Sequence, residues 1–424
     1  MSRFFCFYIF LSFNLPSKIV YGHGNLASDV LELNYEDIPI LLDKSSIRLR
    51  IASKKMEANR AREGYLKQSF YPQIALKSSL ETFRFGSSDF RTQPIASALA
   101  SINLYNGGQD ELIEEINQSS NTYFEAEGRA LKKTQLAASR KLFWEYLFFE
   151  RLLSLNIEAS KQLKDLKKSA IKRINAGTAA RSEGIEFELK LYELNLAIEA
   201  AKLEKEKVKT ALLAELGISD YSDIHIDTKY ENPAFWQKKF SHNSSHHRDF
   251  LAKYEQQINL KKLNIEKIDL LSRPKLDVFG GVHLYNEREK EVPASWQRFE
   301  QVVGVSISIN IDTSSINKQE KAGIAAEIQA IESESKADLL DFEKHLKIDD
   351  KEMAYLHEKI NKFPDHLKLL EKREKLMAED YKFGVKDSED VIAVILETLE
   401  AKIQYAQIVK DLNSIISHME SYFI

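Results

Sequence analysis

The stretch Val303-Gly304-Val305-Ser306-Ile307-Ser308-Ile309-Asn310-Ile311-Asp312 puts an apolar side chain at every odd position and a small or polar one at every even position. Successive side chains of a strand point to opposite faces, so a period of two predicts a strand with one apolar and one polar face. About ten residues is the length of a tilted strand that crosses a bilayer. Shortly afterwards Ile316 opens a polar-apolar stretch that runs to about Tyr381 with Pro364 as its one proline. At 1.5 Å per residue, a helix of that length is about 100 Å long. No compact domain houses such an element, so it must project as a coil.

Working outward, the same pairing of short strands and long helices recurs. Leu276, Val278, Gly280, Val282 and Leu284 alternate after Arg273-Pro274; Ile74, Leu76 and Leu80 share a face with Ser78 after Tyr71-Pro72; Ala96, Ala98, Ala100, Ile102 and Leu104 form the fourth set. Aromatic residues gather near the strand ends: Phe70, Tyr71, Phe83, Phe85, Tyr105, Tyr285 and Trp296. Such girdles suit membrane interfaces. A second very long helical stretch runs from Gln109 to about Ile174, and shorter ones cover Asp37–Ser69, Ser182–Leu216, Arg248–Leu271 and Ser388–Ser421. Phe187, Leu191, Leu194, Ile198, Ala201, Lys205, Val208 and Leu212 step by four and three, a coiled-coil seam broken only by Lys205. The last helix carries two adjacent stripes, Val391, Ile395, Thr398 and Tyr405 beside Ile392, Leu396, Leu399, Ile403 and Ala406. Two seams let one helix pack against a neighbour on each side. In each half, the two shorter helices together match the long one, so stacking them end to end gives a uniform wall.

The order helix, strand, strand, long helix, helix occurs twice. Tyr71-Pro72-Gln73 corresponds to Arg273-Pro274-Lys275, and Ala176-Gly177 to Phe383-Gly384, about 200 residues later in each case. The predicted organisation is therefore a leader at 1–22, a first repeat at 23–217, a linker at 218–245 and a second repeat at 246–424. The fold class is mainly α with a small β part: a long coiled-coil barrel joined to a transmembrane β-barrel. Four strands cannot close a barrel, and open edges are not tolerated in lipid. Two chains would give eight strands, a barrel usually filled by its own side chains, whereas three give twelve and room for a duct.

Composition narrows the function classes. Charged residues form 29% of the chain but nearly cancel, leaving −4, which argues against a nucleic-acid partner. The one cysteine, Cys6, falls in the apolar run Phe4 to Phe13 that follows Arg3 and precedes Pro16 and Gly22. That order describes a secretory signal peptide, and its removal leaves a chain without thiols. No catalytic arrangement, cofactor loop or metal set emerges. His242, His246 and His247 cluster in a polar segment without an acidic or cysteine partner at ligand spacing.

Several motifs resemble those of the outer-membrane efflux protein family of TolC type, over about 35–217 and 246–422. They are Gln68-Ser69-Phe70-Tyr71-Pro72 before the first strand, Asn103-Leu104-Tyr105-Asn106-Gly107-Gly108 after the second, and two helix-to-helix turns. These turns are Arg173-Ile174-Asn175-Ala176-Gly177 with Glu183, and Tyr381-Lys382-Phe383-Gly384 with Asp390-Val391-Ile392. The resemblance implies a homotrimer in the cell outer membrane, its helices in the periplasm, serving as the passive exit duct of a tripartite efflux or type I secretion system. The implied partners are outer-membrane lipid, a periplasmic adaptor and an inner-membrane pump; no enzyme activity and no cofactor are implied. Arg173, Gly177 and Gly384 would form the tips that meet the adaptor. Glu183 and Lys386 would pair to hold the tip closed, with Tyr381 as a further latch residue and Asp390 ringing the entrance. Three departures stand out: Ala393 replaces a second acidic residue, Ile311-Asp312-Thr313-Ser314-Ser315 lacks the usual proline and glycines, and Thr178-Ala179-Ala180-Arg181 is less apolar than usual. The alternative reading is a secreted or periplasmic coiled-coil scaffold or adaptor, which accounts for the leader and coils but not for two matched hairpins.

Overall fold

The computed structural model describes residues 32–62, 71–84, 90–218, 225–226, 244–285, 298–311 and 315–423. The leader predicted at 1–22, most of the 218–245 linker, and Phe70, Phe85 and Trp296 of the aromatic girdles lie outside these. The helices are α1 (Ile38–Ser45), α2 (Ile47–Ala61), α3 (Gln109–Asn175), α4 (Arg181–Glu215), α5 (Ser244–Leu270), α6 (Ile316–Lys382) and α7 (Ser388–Phe423). Both long helices, α3 and α6, have 67 residues, as the duplication requires. The strands are β1 (Gln73–Phe83), β2 (Arg91–Tyr105), β3 (Lys275–Tyr285) and β4 (Arg298–Ser308).

The first helical stretch is not continuous as predicted from Asp37. Tyr35–Asp37 form a 3-10 turn, and the helix breaks at Ser46, whose ψ of 118° is non-helical. The Ser46 hydroxyl then accepts from Leu49 N–H and caps α2. The break is where α4 ends. Gly217, at φ +77°, closes α4 with hydrogen bonds from its own N–H to Ala214 and from Ile218 to Leu213, and a Cβ there would lie 2.3 Å from the Ser45 carbonyl oxygen. Glu32–Leu33 pair in parallel with His225–Ile226 at the same place. Around this junction Tyr35, Phe143 and Trp144 form a T-shaped and tilted aromatic cluster. Tyr35 and Trp144 both reach the Ser417 hydroxyl, at 2.8 and 2.7 Å, and buried Arg140 pairs with Glu420 at 3.2 Å.

Packing arranges the helices in four columns. α3 packs along α2 and α4 on one side and along α5 and α7 on the other, and α5 and α7 also pack on α6. The predicted end-to-end stacking is thus present in both halves. α7, an inner column, buries both of its stripes, from Val391 and Ile392 to Thr398 and Leu399. Lys205 does not disrupt the α4 seam, because it pairs with Glu150 at 2.5 Å and lies over the Tyr146 ring. The outer columns are different. On α4 a second heptad seam, Ile185, Leu189, Tyr192, Leu196 and Leu203, is more than half exposed at every position. On α6, Tyr355, Leu369 and Leu376 stand bare at heptad multiples.

The strands form one antiparallel sheet in the order β1-β2-β3-β4, although all of α3, α4 and α5 intervenes between β2 and β3. Strand β4 begins before the quoted stretch and its pairing ends at Ser308, opposite Lys275, so Ile309 to Ile311 continue unpaired. The reason is Pro274, which precedes the last partner and has no N–H to offer. One face presents Ile74, Leu76, Val303 and Ile307, each at least 70% exposed. No helix among the described residues is long and apolar enough to cross a membrane. Gly304 lies under Phe279, where a Cβ would meet the ring at 2.7 Å.

Two glycines with the same φ sign test this packing. Gly217→Ala should cost about 2 kcal/mol, from left-handed strain plus the backbone clash, whereas Gly177→Ala, with open space around it, should cost about 1 kcal/mol. Thermal melting followed by far-ultraviolet circular dichroism checks the order; equal losses would contradict the junction geometry.

Candidate functional site

The end of the molecule farthest from the sheet is built by two helix reversals. α3 stops at Asn175 because Gly177, at φ +74°, lets the chain turn: Gly177 N–H donates to Ile174 and Thr178 N–H to Arg173. α6 stops in the same way, with Gly384 at φ +78° donating to Tyr381 and Val385 N–H donating to Asp380. Both are Schellman caps, in which a left-handed residue lets two otherwise unpaired carbonyls be satisfied. α7 then starts on Asp387, whose carboxylate accepts from Asp390 N–H at 3.0 Å.

Between the turns, three predicted site residues meet. The Tyr381 hydroxyl donates to Glu183 Oε2 at 2.9 Å. Arg173 Nη1 donates to the Tyr381 carbonyl at 3.1 Å, its guanidinium lies 4.8 Å from the Tyr381 ring centroid, and it stands 3.7 Å from the Glu183 carboxylate. Tyr381 is fully buried and packs edge-on against Phe187 at 5.7 Å. Apolar residues of α3, α4 and α7, among them Leu163, Leu191 and Ile395, complete this core. Glu183 also lies in the first turn of α4, where a negative charge complements the helix dipole.

Lys386 is placed elsewhere. Within the chain it pairs with Asp390, one turn along, at 3.2 Å; both side chains are over 40% exposed, a solvated contact of little energetic weight. The pairing of Lys386 with Glu183 implied by the resemblance is not formed within the protomer, because Glu183 is taken by Tyr381 and Arg173. Arg173 therefore holds the two turns together in addition to lying at a tip. Two further features belong to the tip. Ser388 donates to Glu186, a second tie from α7 to α4, and neither residue had a periodic signal. Phe383 and Val385 flank Gly384 with exposures of 84% and 71%, an apolar tip that the residue types alone made visible. No group of three or more metal-ligating side chains occurs among the described residues, and the His242, His246 and His247 cluster falls where side chains are not described.

No protein-family model and no curated protein matches the sequence. Solved structures do match, along nearly the whole chain. CusC, whose structures concern folding and transmembrane channel formation, superposes with a TM-score of 0.74 at 13% identity, covering 95% of each chain. The fold is that of the outer-membrane channels. The Campylobacter jejuni outer membrane channel CmeC gives 0.72 at 14% identity over 92% of this chain and 85% of its own. The Vibrio cholerae outer membrane protein VceC gives 0.69 at 11% over 92% and 95%. At such identities the shared property is this channel fold: paired long helices, one four-stranded sheet and two reversals at the far end.

Burial first, then the hydrogen bond and charge of Glu183, hold the Tyr381 phenol above the usual tyrosine range, with Arg173 opposing. The neutral phenol belongs to the folded tip, so its contribution is complete below about pH 10 and is lost as pH rises through the elevated value. Tyr381→Phe should remove one late-ionising phenol from an alkaline absorbance titration. It should also loosen the tip by about 1 kcal/mol, measured as faster amide exchange confined to the two turns. Unchanged exchange there would show that the Tyr381–Glu183 bond does not hold them.

Proposed function

We propose that three copies of this chain form an outer-membrane duct, with helices in the periplasm, that supplies the passive exit of a tripartite efflux or type I secretion system. The observation that carries the reading is that the open strand edges and the bare heptad seams lie along the same two sides of the chain. Strands β1 and β4 leave the sheet edges open, and the outer helical columns α4 and α6 leave heptad seams bare. Closing copies side by side pairs the edges, which hydrocarbon demands, and buries the seams at the same time. Three copies give twelve strands, wide enough for a lumen. The likeness to solved outer-membrane channels supports the same reading. A coiled-coil scaffold or adaptor would leave the exposed apolar sheet face without a role.

The apolar tip of Phe383 and Val385 beside Gly384, with Arg173 and Gly177 at the first turn, is the surface this reading assigns to the periplasmic adaptor. Energy would come from an inner-membrane pump. Asp390, repeated three times around the axis, would ring the entrance and draw cations. Glu183, Tyr381 and Arg173 tie the turns within each chain, and Lys386 with Asp390 lies outside that tie.

Fractionated membranes should yield a heat-modifiable trimer in the outer-membrane fraction; a soluble monomer would sink the proposal. Leu189→Glu combined with Leu196→Glu should abolish the trimer while leaving the monomer's helix content unchanged. In planar bilayers the parent should conduct weakly, and Glu183→Gln should raise conductance more than Lys386→Gln, since only Glu183 is bonded across the turns. The opposite order would assign the gate to Lys386.

A further inference from the structure

The tip ties the two outer columns together inside one chain, so their bare rows can be compared level by level. Tyr381 of α6 bonds Glu183 of α4 and packs on Phe187, which sets position 381 level with 183–187. α4 climbs from the tip while α6 descends to it, both at about 1.5 Å per residue. Each step up α4 is therefore matched by one step back along α6. The two keep pace as far as the junction, where Leu356 and Ile360 of α6 share a core with Val208 and Leu212 of α4. On this scale Leu189 is level with Leu376, Leu196 with Leu369 and Leu203 with Lys362, each level one heptad above the last. The five leucines are all more than half exposed. Beside Lys362 lies an open groove of about 290 Å³ lined by Tyr355, Glu358, Lys359, Lys362, Phe363 and His366.

Charges flanking the rows agree with these levels. Glu193 is level with Lys372, and Lys207, two heptads higher, is level with Glu358; all four are exposed. Within the chain Glu193, Lys207 and Glu358 meet neighbours about one turn away, Lys190, Glu204 and Lys362, in solvated pairs of little energetic weight. A like-charged level, Glu186 with Glu379, lies at the tip, where Ser388 donates to Glu186. A slip of one heptad, about 10 Å, would keep leucine against leucine, so periodicity alone does not choose a register. The charges do choose. One slip sets Glu193 against Glu379, and the other sets it against Asp365 and Lys207 against Lys351.

Resting on the trimeric channel reading, we propose that α4 of one copy docks antiparallel on α6 of the next in this single register. The occupant of each bare row is thus a second copy of this chain. A rotation axis along the columns carries every residue round the ring without changing its height, so levels fixed inside one chain hold between neighbours. Leu189 meets Leu376 and Leu196 meets Leu369 in a seam of interlocking side chains. Leu203 enters the groove beside Lys362, whose aliphatic stem covers it while the ammonium stays in water. Glu193 with Lys372 and Lys207 with Glu358 border the seam and reject a slip. Above the junction the rows continue as Ile47 and Ile51 on α2 and Ile348 and Leu340 on α6, all exposed.

The test places cysteine pairs in the full chain carrying Cys6→Ser, which removes its one native thiol. Leu196→Cys with Leu369→Cys, and Leu189→Cys with Leu376→Cys, are the in-register pairs. Recombining the same substitutions, Leu196→Cys with Leu376→Cys and Leu189→Cys with Leu369→Cys, samples the two one-heptad slips. A disulfide needs Cα atoms within about 7 Å, less than the length of a slip. Assembly of the recombined pairs is checked beforehand as the heat-modifiable trimer, and membranes carrying each variant are then mildly oxidised. On denaturing gels without reductant, the in-register pairs should shift the monomer to a ladder ending at the trimer, and reductant should reverse the shift. The recombined pairs should stay monomeric. A ladder from a recombined pair, or monomer from both in-register pairs, overturns the register while leaving the channel standing. A parent that forms no trimer overturns the channel reading and the register with it.

Discussion

A helix of 67 residues stays straight and separate from its neighbours only if its apolar stripe is covered from end to end, since backbone hydrogen bonds alone contribute little net stability in water. Here the cover is supplied by shorter helices stacked in pairs. The arrangement places a junction partway along each column, and in the first half that junction is where the chain is most closely constrained. Gly217 closes α4 against the Ser45 carbonyl, Ser45 Oγ donates to the Leu216 carbonyl at 2.5 Å, and Ser46 caps the helix that continues the column. The Tyr35, Trp144, Ser417 and Arg140 network ties the same level across to α7.

The second demand comes from the sheet. Its four strands satisfy one another internally but leave backbone groups free on both outer edges, and in the proposed membrane setting hydrocarbon would have no water to accept them. Helical seams and strand edges are open on the same two sides of the chain, so in the proposed duct one act of association would resolve both. This coupling also explains why so many apolar residues are exposed in a single chain. They are distributed by heptad and by alternate strand position, the spacing of unmade interfaces and not of a failed core.

Much of this was legible in the residues. Period-two alternation located all four strands, and the lengths of the polar-apolar stretches located α3 to α7 within a few residues at each end. The paired glycines marked both reversals, because a left-handed φ is a backbone requirement that the residue type itself announces. Less legible was the break at Ser46. Nothing in Lys44-Ser45-Ser46-Ile47 forbids a helix, and the interruption comes from the approach of Gly217 across 171 residues from Ser46. The end of β4 was likewise set by its partner, since Ile309 and Ile311 keep the alternation but lose the pairing beyond Pro274.

At the tip, the resemblance pointed to particular side chains and paired Glu183 with Lys386, whereas the contacts within the chain are different. Glu183, Tyr381, Lys386 and Asp390 were all recognisable, yet tertiary packing gives Glu183 to Tyr381 and Arg173 and leaves Lys386 to Asp390. Periodicity and chain length, being properties of the covalent chain, determined by themselves the helices, the strands, the duplication and the turns. Pairing across the turns and the register of the sheet were decided only in three dimensions. Such contacts join residues up to about 200 positions apart, and their distances depend on how whole columns and strands slide against one another, which no local pattern encodes.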